Sequence, residues 1–313
     1  MSIASNKEDA DTALTGSRRP MAQWDKRAMV RSQARHYGRH DMDGHFFKPS
    51  LIGPLSAPEL AHLESEARRN IEILHLSRYL HGVEQIETLL VNPALLELIK
   101  LDLPRLVRLD AYKIYTDEGY HALMSAELMH EVSSRHGLDR IKPEFPTALR
   151  RVLECIAKLP DGPRSLALVT AASLNETLIS ANLAQADDPS LVPAVREMIL
   201  QHRIDESKHH GYFLTVFPEV WRKWPEEDRR IVAPLIAWFL VTLLSTDLEP
   251  IARDLEMLGL KSEAAIASAA YRERLTTEEL LQAGCGSLAM LRRCGLMDCA
   301  AVRQGFTAEG FDL

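Results

Sequence analysis

The chain has 313 residues, 46% of them hydrophobic, with 37 Lys and Arg against 44 Asp and Glu for a formal charge of −7. That length and apolar content bury one large core or two small ones, which excludes a short disulfide scaffold and a disordered tail. The acidic balance, with no block of five or six Lys and Arg, argues against a nucleic-acid-binding surface. The four cysteines (Cys155, Cys285, Cys294, Cys299) form no CxxC pair, and no charged-then-apolar leader opens the chain. Both features point to a reduced, cytoplasmic setting.

Residues 1 to about 20 are rich in Ser, Asp, Asn and Ala without apolar periodicity and are expected to be disordered, leaving a single domain over 21–313. Trp24 to Ser56 mixes aromatic, basic, Pro and Gly residues in no regular period. That stretch reads as an irregular arm packed on the helical region after it. From Ala57 onward apolar residues recur every three or four positions, so the fold is expected to be all-α, a helical bundle. Breakers set helices at about Ala57 to Lys100, Pro104 to Arg135, Thr147 to Ala157, Pro163 to Ala184, Leu191 to Val216 and Glu226 to Leu258, with shorter helices from Ser262 to Arg303. The longest apolar run, Ile231 to Ser245 with Pro234 inside, is too short for a membrane span and reads as a buried helix.

The second helix carries Asp117-Glu118-Gly119-Tyr120-His121, which puts a carboxylate and an imidazole one turn apart on one face. One such pair is common in helical proteins. A second copy occurs in His202-Arg203-Ile204-Asp205-Glu206-Ser207-Lys208-His209, with His202 one turn earlier on the same stripe. Two Glu-x-x-His helices, each preceded by a helix offering one Glu, form the donor set of carboxylate-bridged dimetal sites inside ferritin-like bundles. Carboxylate and imidazole ligands suit iron or manganese.

The preceding helices supply the remaining carboxylates. Glu176 is the only acidic residue between Asp161 and Asp187, and a carboxylate in so apolar a helix is costly unless paired or metal-bound. Before the first motif stand Glu84 and Glu87. If the hairpin turns at Leu101 to Pro104, Glu87 and Glu118 lie equally far from the turn and at one height. Glu84 lies three residues away, about 4.5 Å, and is kept as an outer or fallback carboxylate. Pro93 can kink this helix and blur the comparison. Asp117 and Asp205 precede their motif Glu in both copies, which suggests carboxylates that orient an imidazole of the opposite half. His210 points about 100° from His209 and reads as surface. Tyr112, Tyr115 and Tyr120 read as core or pocket-lining residues.

Several segments together resemble the AurF-type di-iron N-oxygenases: IETLLVNPA with Glu87 and Pro93, YTDEGYHA with Glu118 and His121, LNETLISANL with Glu176, and HRIDESKHH with His202, Glu206 and His209. The founding activity of that family is oxidation of an aryl amine to a nitro compound. The similarity spans roughly Trp24 to Arg303, and the family's mark, a third histidine four residues before the last Glu, is matched by His202. The resemblance implies a ferritin-like fold with additional C-terminal helices and a site of two iron ions held by Glu87, Glu118, His121, Glu176, His202, Glu206 and His209. It further implies O₂ as co-substrate, electrons from a ferredoxin or reductase, a homodimer, and a place in secondary-metabolite biosynthesis. The loop between Glu87 and Glu118 is shorter than in the aryl-amine enzyme, which can reshape the substrate entrance. From Leu275 to Leu291 there is no Lys or Arg to grip an aromatic carboxylate. An aliphatic or carrier-protein-bound amino acid, as presented by a peptide synthetase, therefore stands beside an aryl amine as substrate. A ferritin-like iron store, a di-iron carbon hydroxylase and a bundle with buried salt bridges are the competing readings.

Overall fold

In a computed structural model, residues 20–31, 43–52, 55, 60–245, 249–270 and 276–312 are described. The expected disorder over 1 to about 20 lies outside these residues apart from its last position. Among the described residues the regular structure is helical, with one isolated parallel bridge between His45 and Leu191. The main elements are α1 (Ser65–Ile86), a π-helical turn (Glu87–Val91), α2 (Asn92–Lys100), α3 (Arg105–Arg135), α4 (Thr147–Ala157), α5 (Asp161–Ala186) and α6 (Pro193–Lys223). Behind them come α7 (Glu226–Val232), α8 (Leu235–Leu244), α9 (Glu249–Met257), α10 (Lys261–Ala270), α11 (Thr277–Ala283), α12 (Cys285–Arg293) and α13 (Ala300–Ala308).

Four long helices make the bundle: α1 with its continuation α2 packs along α3, and α5 packs along α6. The apolar stripes of these helices bury two separate clusters. One holds Leu90 to Leu98, Val107 to Ile114, Leu166 to Leu178 and Tyr212 to Trp221; the other holds Ile71 to Leu80, Met124 to Val132, Ile179 to Ala186 and Ala194 to Ile199. Each long helix thus passes from one cluster to the other near its middle. The polar motif residues occupy that crossing, so a charged layer lies between two dry layers.

Three segments depart from the expected boundaries. The first helix begins at Ser65 rather than Ala57; residues 60–64 are not α-helical, and 57–59 lie outside the described residues. The helix expected to end at Val216 continues to Lys223. Pro218 sits inside it, and burial of Phe217, Val220 and Trp221 offsets a proline cost of about 3 kcal/mol. The expected helix from Glu226 to Leu258 is broken into α7, α8 and α9, because Pro234 cannot donate its backbone N–H and Pro250 belongs in a first turn. No helix among the described residues is long and apolar enough to cross a membrane.

The irregular arm is packed as expected where it is described. Phe46, Phe47 and Ile52 are buried. The buried Glu72 carboxylate accepts the Phe46 amide at 3.0 Å and lies 2.9 Å from His45 Nδ1. His45 also exchanges backbone hydrogen bonds with Ser190 and Val192 at 2.9 Å, which pins the arm to the α5–α6 link. Gly44 makes this approach possible: its φ is 129°, and a Cβ there would come within 2.7 Å of the Ser190 carbonyl.

Candidate metal centre

Helical periodicity aims the donors at one space. On α3, Glu118 and His121 are one turn apart; on α6, His202, Glu206 and His209 form a stripe at four- and three-residue spacing. Glu176 projects from the middle of α5. Glu87 opens the π turn, whose wider i→i+5 turn re-aims a side chain and accommodates Pro93 just beyond it. All seven side chains are fully buried at 0% exposure.

Their donor atoms fall into three overlapping groups, each with all atoms within 4.8 Å of one another. Glu87, His121, His202 and Glu206 form one; Glu118, His121, Glu206 and His209 form the second; Glu87, Glu118 and Glu176 form the third. His202 Nε2 lies 3.2 Å from Glu206 and 3.9 Å from Glu87. His209 Nδ1 lies 2.8 Å from Glu118 and 3.3 Å from Glu206, and His121 Nδ1 lies 2.9 Å from Glu118 and 3.3 Å from Glu206. The structure therefore brings together the three histidines, Glu118, Glu176, Glu206 and, of the two candidates on the first helix, Glu87.

Electrostatics make this layer incomplete as protein alone. Burial and the carboxylates of Glu118, Glu206 and Glu176 push Glu87 well above the usual carboxylate range, and burial with Glu206 and Glu118 does the same to Glu176. Burial also raises Glu118 and Glu206, but the His209 and His121 imidazoles outweigh it and hold both low. Burial alone would lower His121 and His209, yet the surrounding carboxylates raise both well above the ordinary imidazole value. His202 is lowered by burial and by the charge of His121.

Among the described residues many polar atoms find no hydrogen-bond partner: both oxygens of Glu87 and of Glu176, Glu118 Oε1, Glu206 Oε2, His202 Nδ1 and His209 Nδ1. Ionising all four buried glutamates would concentrate a charge that desolvation makes expensive. Two divalent cations would balance it while leaving the imidazoles neutral. The residues present fit a dimetal group on that charge count and on the orphaned acceptors.

Around the donors, Asp117 Oδ2 lies 3.2 Å from His209 Nε2, and Asp205 Oδ2 lies 3.7 Å from His121 Nε2. Each aspartate thus faces the imidazole of the other motif helix, and both are buried. Glu84 is not brought in: one turn before Glu87 on the outer side of α1, its partly exposed carboxylate lies 3.2 Å from His81. His210 differs from its surface reading. It is half-buried, its Nδ1 is enclosed, and its ring packs where a Cβ on Gly286 of α12 would meet it at 3.0 Å. Tyr112 and Tyr115 are exposed rather than core, because the inward stripe of α3 runs through Ala111, Ile114 and Glu118.

Motif reading passed over Trp24, whose indole N–H meets Asp117, and Tyr79, whose enclosed hydroxyl has no partner among the described residues and is raised by burial and by Glu206 and Glu87. Neither residue lies in a motif. No periodic signal marks them.

A helical bundle that places two Glu-x-x-His helices and two further glutamates around one buried space defines a ferritin-like protein with a dimetal-type carboxylate and histidine site. Residues 17–295 match the family described as p-aminobenzoate N-oxygenase AurF, and the chain belongs to that family. It is also 24% identical over 200 residues to the 4-aminobenzoate N-oxygenase of Streptomyces thioluteus. That alignment covers 62% of this chain and 58% of the relative, so it spans less than two thirds of that protein.

Proposed function

We propose that the chain is a non-heme di-iron N-oxygenase that uses O₂ and electrons from a ferredoxin or reductase to oxidise a primary amine to a hydroxylamine, oxime or nitro product. The observation that carries this reading is the buried layer of four glutamates and three histidines, His202 included, in a chain of the N-oxygenase family. Iron held there supplies O₂ reduction and the oxidising equivalent.

The chain's residues supply the rest. Glu118 and Glu206 face imidazoles of both motif helices, Glu87 and Glu176 cluster with Glu118, and these four carboxylates would hold the metal. His121, His202 and His209 present one ring nitrogen each to the carboxylates. The apolar clusters on either side exclude bulk water, so a reactive oxidant is shielded from solvent.

The substrate class rests on what the C-terminal helices lack. Residues 276–291, which include α11 and most of α12, carry no Lys or Arg. No guanidinium from that segment can clamp an aromatic carboxylate, so an aliphatic or carrier-bound amino acid stands beside an aryl amine as substrate.

The test is to incubate the iron-loaded, reduced protein with O₂ and a panel of free aryl amines, free amino acids and carrier-bound amino acids. Mass spectra are expected to show oxygen on nitrogen for at least one amine. Oxygen added only at carbon would overturn the assignment in favour of a carbon hydroxylase. Glu118→Ala and Glu206→Ala are expected to abolish metal-dependent O₂ consumption.

A further inference from the structure

The two aspartates that face the imidazoles are themselves held by one segment outside the bundle, residues 20–31. The Trp24 indole N–H points between both oxygens of Asp117, 2.8 Å from each. Five residues on, the Met29 amide donates to Asp205 Oδ2 at 2.9 Å. The segment is seated across the two motif helices. Lys113 of α3 donates to the Met21 carbonyl at 3.3 Å, and Pro20 lies over Gly211 of α6, where a Cβ would approach it to 3.2 Å. The Arg31 guanidinium stacks on the Trp24 ring, 5.6 Å from its centroid.

The consequence is a hydrogen-bond relay from the surface segment to the donor layer. Asp117 accepts from Trp24 on one side and faces His209 Nε2 on the other at 3.2 Å. A carboxylate in that place favours a proton on Nε2 and leaves Nδ1, which faces Glu118 and Glu206, as the ring atom available to a metal. The two aspartates differ in their other donors. Asp205 also receives Lys208 at 2.6 Å, whereas the donors reaching Asp117 among the described residues are Trp24 and His209. Without the indole N–H, a buried carboxylate would keep one partner and lose its fixed orientation.

We propose that Trp24 is a positioning residue of the metal centre, acting through Asp117 on His209, and that segment 20–31 is thereby coupled to metal binding. This rests on the dimetal reading of the site. Because the relay ends on His209, removing it weakens the metal position held by Glu118, Glu206 and His209 and spares the one at His202. Linkage makes the coupling reciprocal: metal that depends on the segment must also order the segment.

Anaerobic titration with Co(II), followed by visible absorption, tests this on the full chain and on Trp24→Phe, which keeps the ring and deletes the donor. Wild type is expected to bind two Co(II). The variant is expected to bind one as wild type does and the other about 10- to 100-fold more weakly, with that ion's absorption bands shifted. Hydrogen exchange of the wild-type protein with and without Co(II) gives a second measurement that needs no variant. Amides of residues 24–31 are expected to gain protection on loading. Two equal sites with unchanged bands in Trp24→Phe, or no change in exchange at residues 24–31, would overturn the proposal while leaving the dimetal reading intact. A wild type that binds no Co(II) would overturn both.

Discussion

Among the described residues no aspartate backs His202, unlike the other two site imidazoles: its Nε2 faces Glu206 and Glu87, and its buried Nδ1 meets no partner there. Its ring is tilted by 51° against that of His121, with centroids 4.1 Å apart. His121 and His209, by contrast, belong to the Glu-x-x-His pairs that define a dimetal site without a third imidazole. His202→Ala is therefore expected to retain two metals per chain while losing product formation, measured by metal analysis and mass spectrometry on one preparation. A separate residue sets an acid limit. His75 packs edge-on against Phe47 at 4.6 Å, and burial, helped by Arg78, holds it down to about 3. An imidazole that ionises near 6.5 when unfolded but near 3 when folded binds fewer protons in the folded state. Its contribution is present above about pH 6.5 and is lost as pH falls through that window. His121, His209, Glu87 and Glu176, all raised in the folded chain, act in the opposite sense, so the measurement is a difference: in thermal melts of the metal-free protein from pH 7.5 to 5, His75→Phe is expected to gain stability relative to wild type as pH falls; parallel curves would contradict the assignment.

At the scale of elements, α12 approaches α5 so closely that a side chain cannot fit between them. A Cβ on Gly286 would come within 2.9 Å of the Thr177 carbonyl and 3.0 Å of His210. Beside it the Thr177 and Ser287 hydroxyls meet at 2.6 Å. Glu176 is the neighbour of Thr177, so this contact fixes the stretch of α5 that carries a site glutamate. Gly286→Ala is expected to lower stability by about 1–3 kcal/mol through overpacking, measured by urea denaturation. A midpoint within error of wild type would show that α12 moves away freely. The elements also show how far local sequence reaches. The two motif stripes were legible because Glu-x-x-His spacing is a property of the helical period, and Glu176 stood out in an apolar helix. The π turn at Glu87 was not legible, because a widened turn is a compromise between Pro93 and packing on α3. The breaks at Pro234 and Pro250 were readable as local chemistry, yet the apolar periodicity running through them suggested one helix. The contact of Trp24 with Asp117 joins residues 93 apart. It depends on how the arm crosses two helices, which no local pattern encodes.

Over the whole molecule, a charged layer separates two apolar clusters, and the bundle holds it in place at the cost of burying four carboxylates. Metal that binds only the folded chain must then add stability, by an amount that grows with free metal concentration. The melting temperature is expected to rise on anaerobic Fe(II) loading, and this gain is expected to vanish in Glu206→Ala. Loading must also displace protons, since His121, His209, Glu87 and Glu176 all hold theirs above the usual pH ranges. Affinity is therefore expected to rise with pH near neutrality, where protons compete with metal for the same atoms. A pH-independent affinity would contradict that competition. The most direct test of a dimetal centre is iron stoichiometry after anaerobic Fe(II) loading and removal of loosely bound metal. Two irons per wild-type chain are expected, with stoichiometric retention lost in Glu206→Ala; one zinc or no metal in wild type, or two irons retained without Glu206, would contradict it.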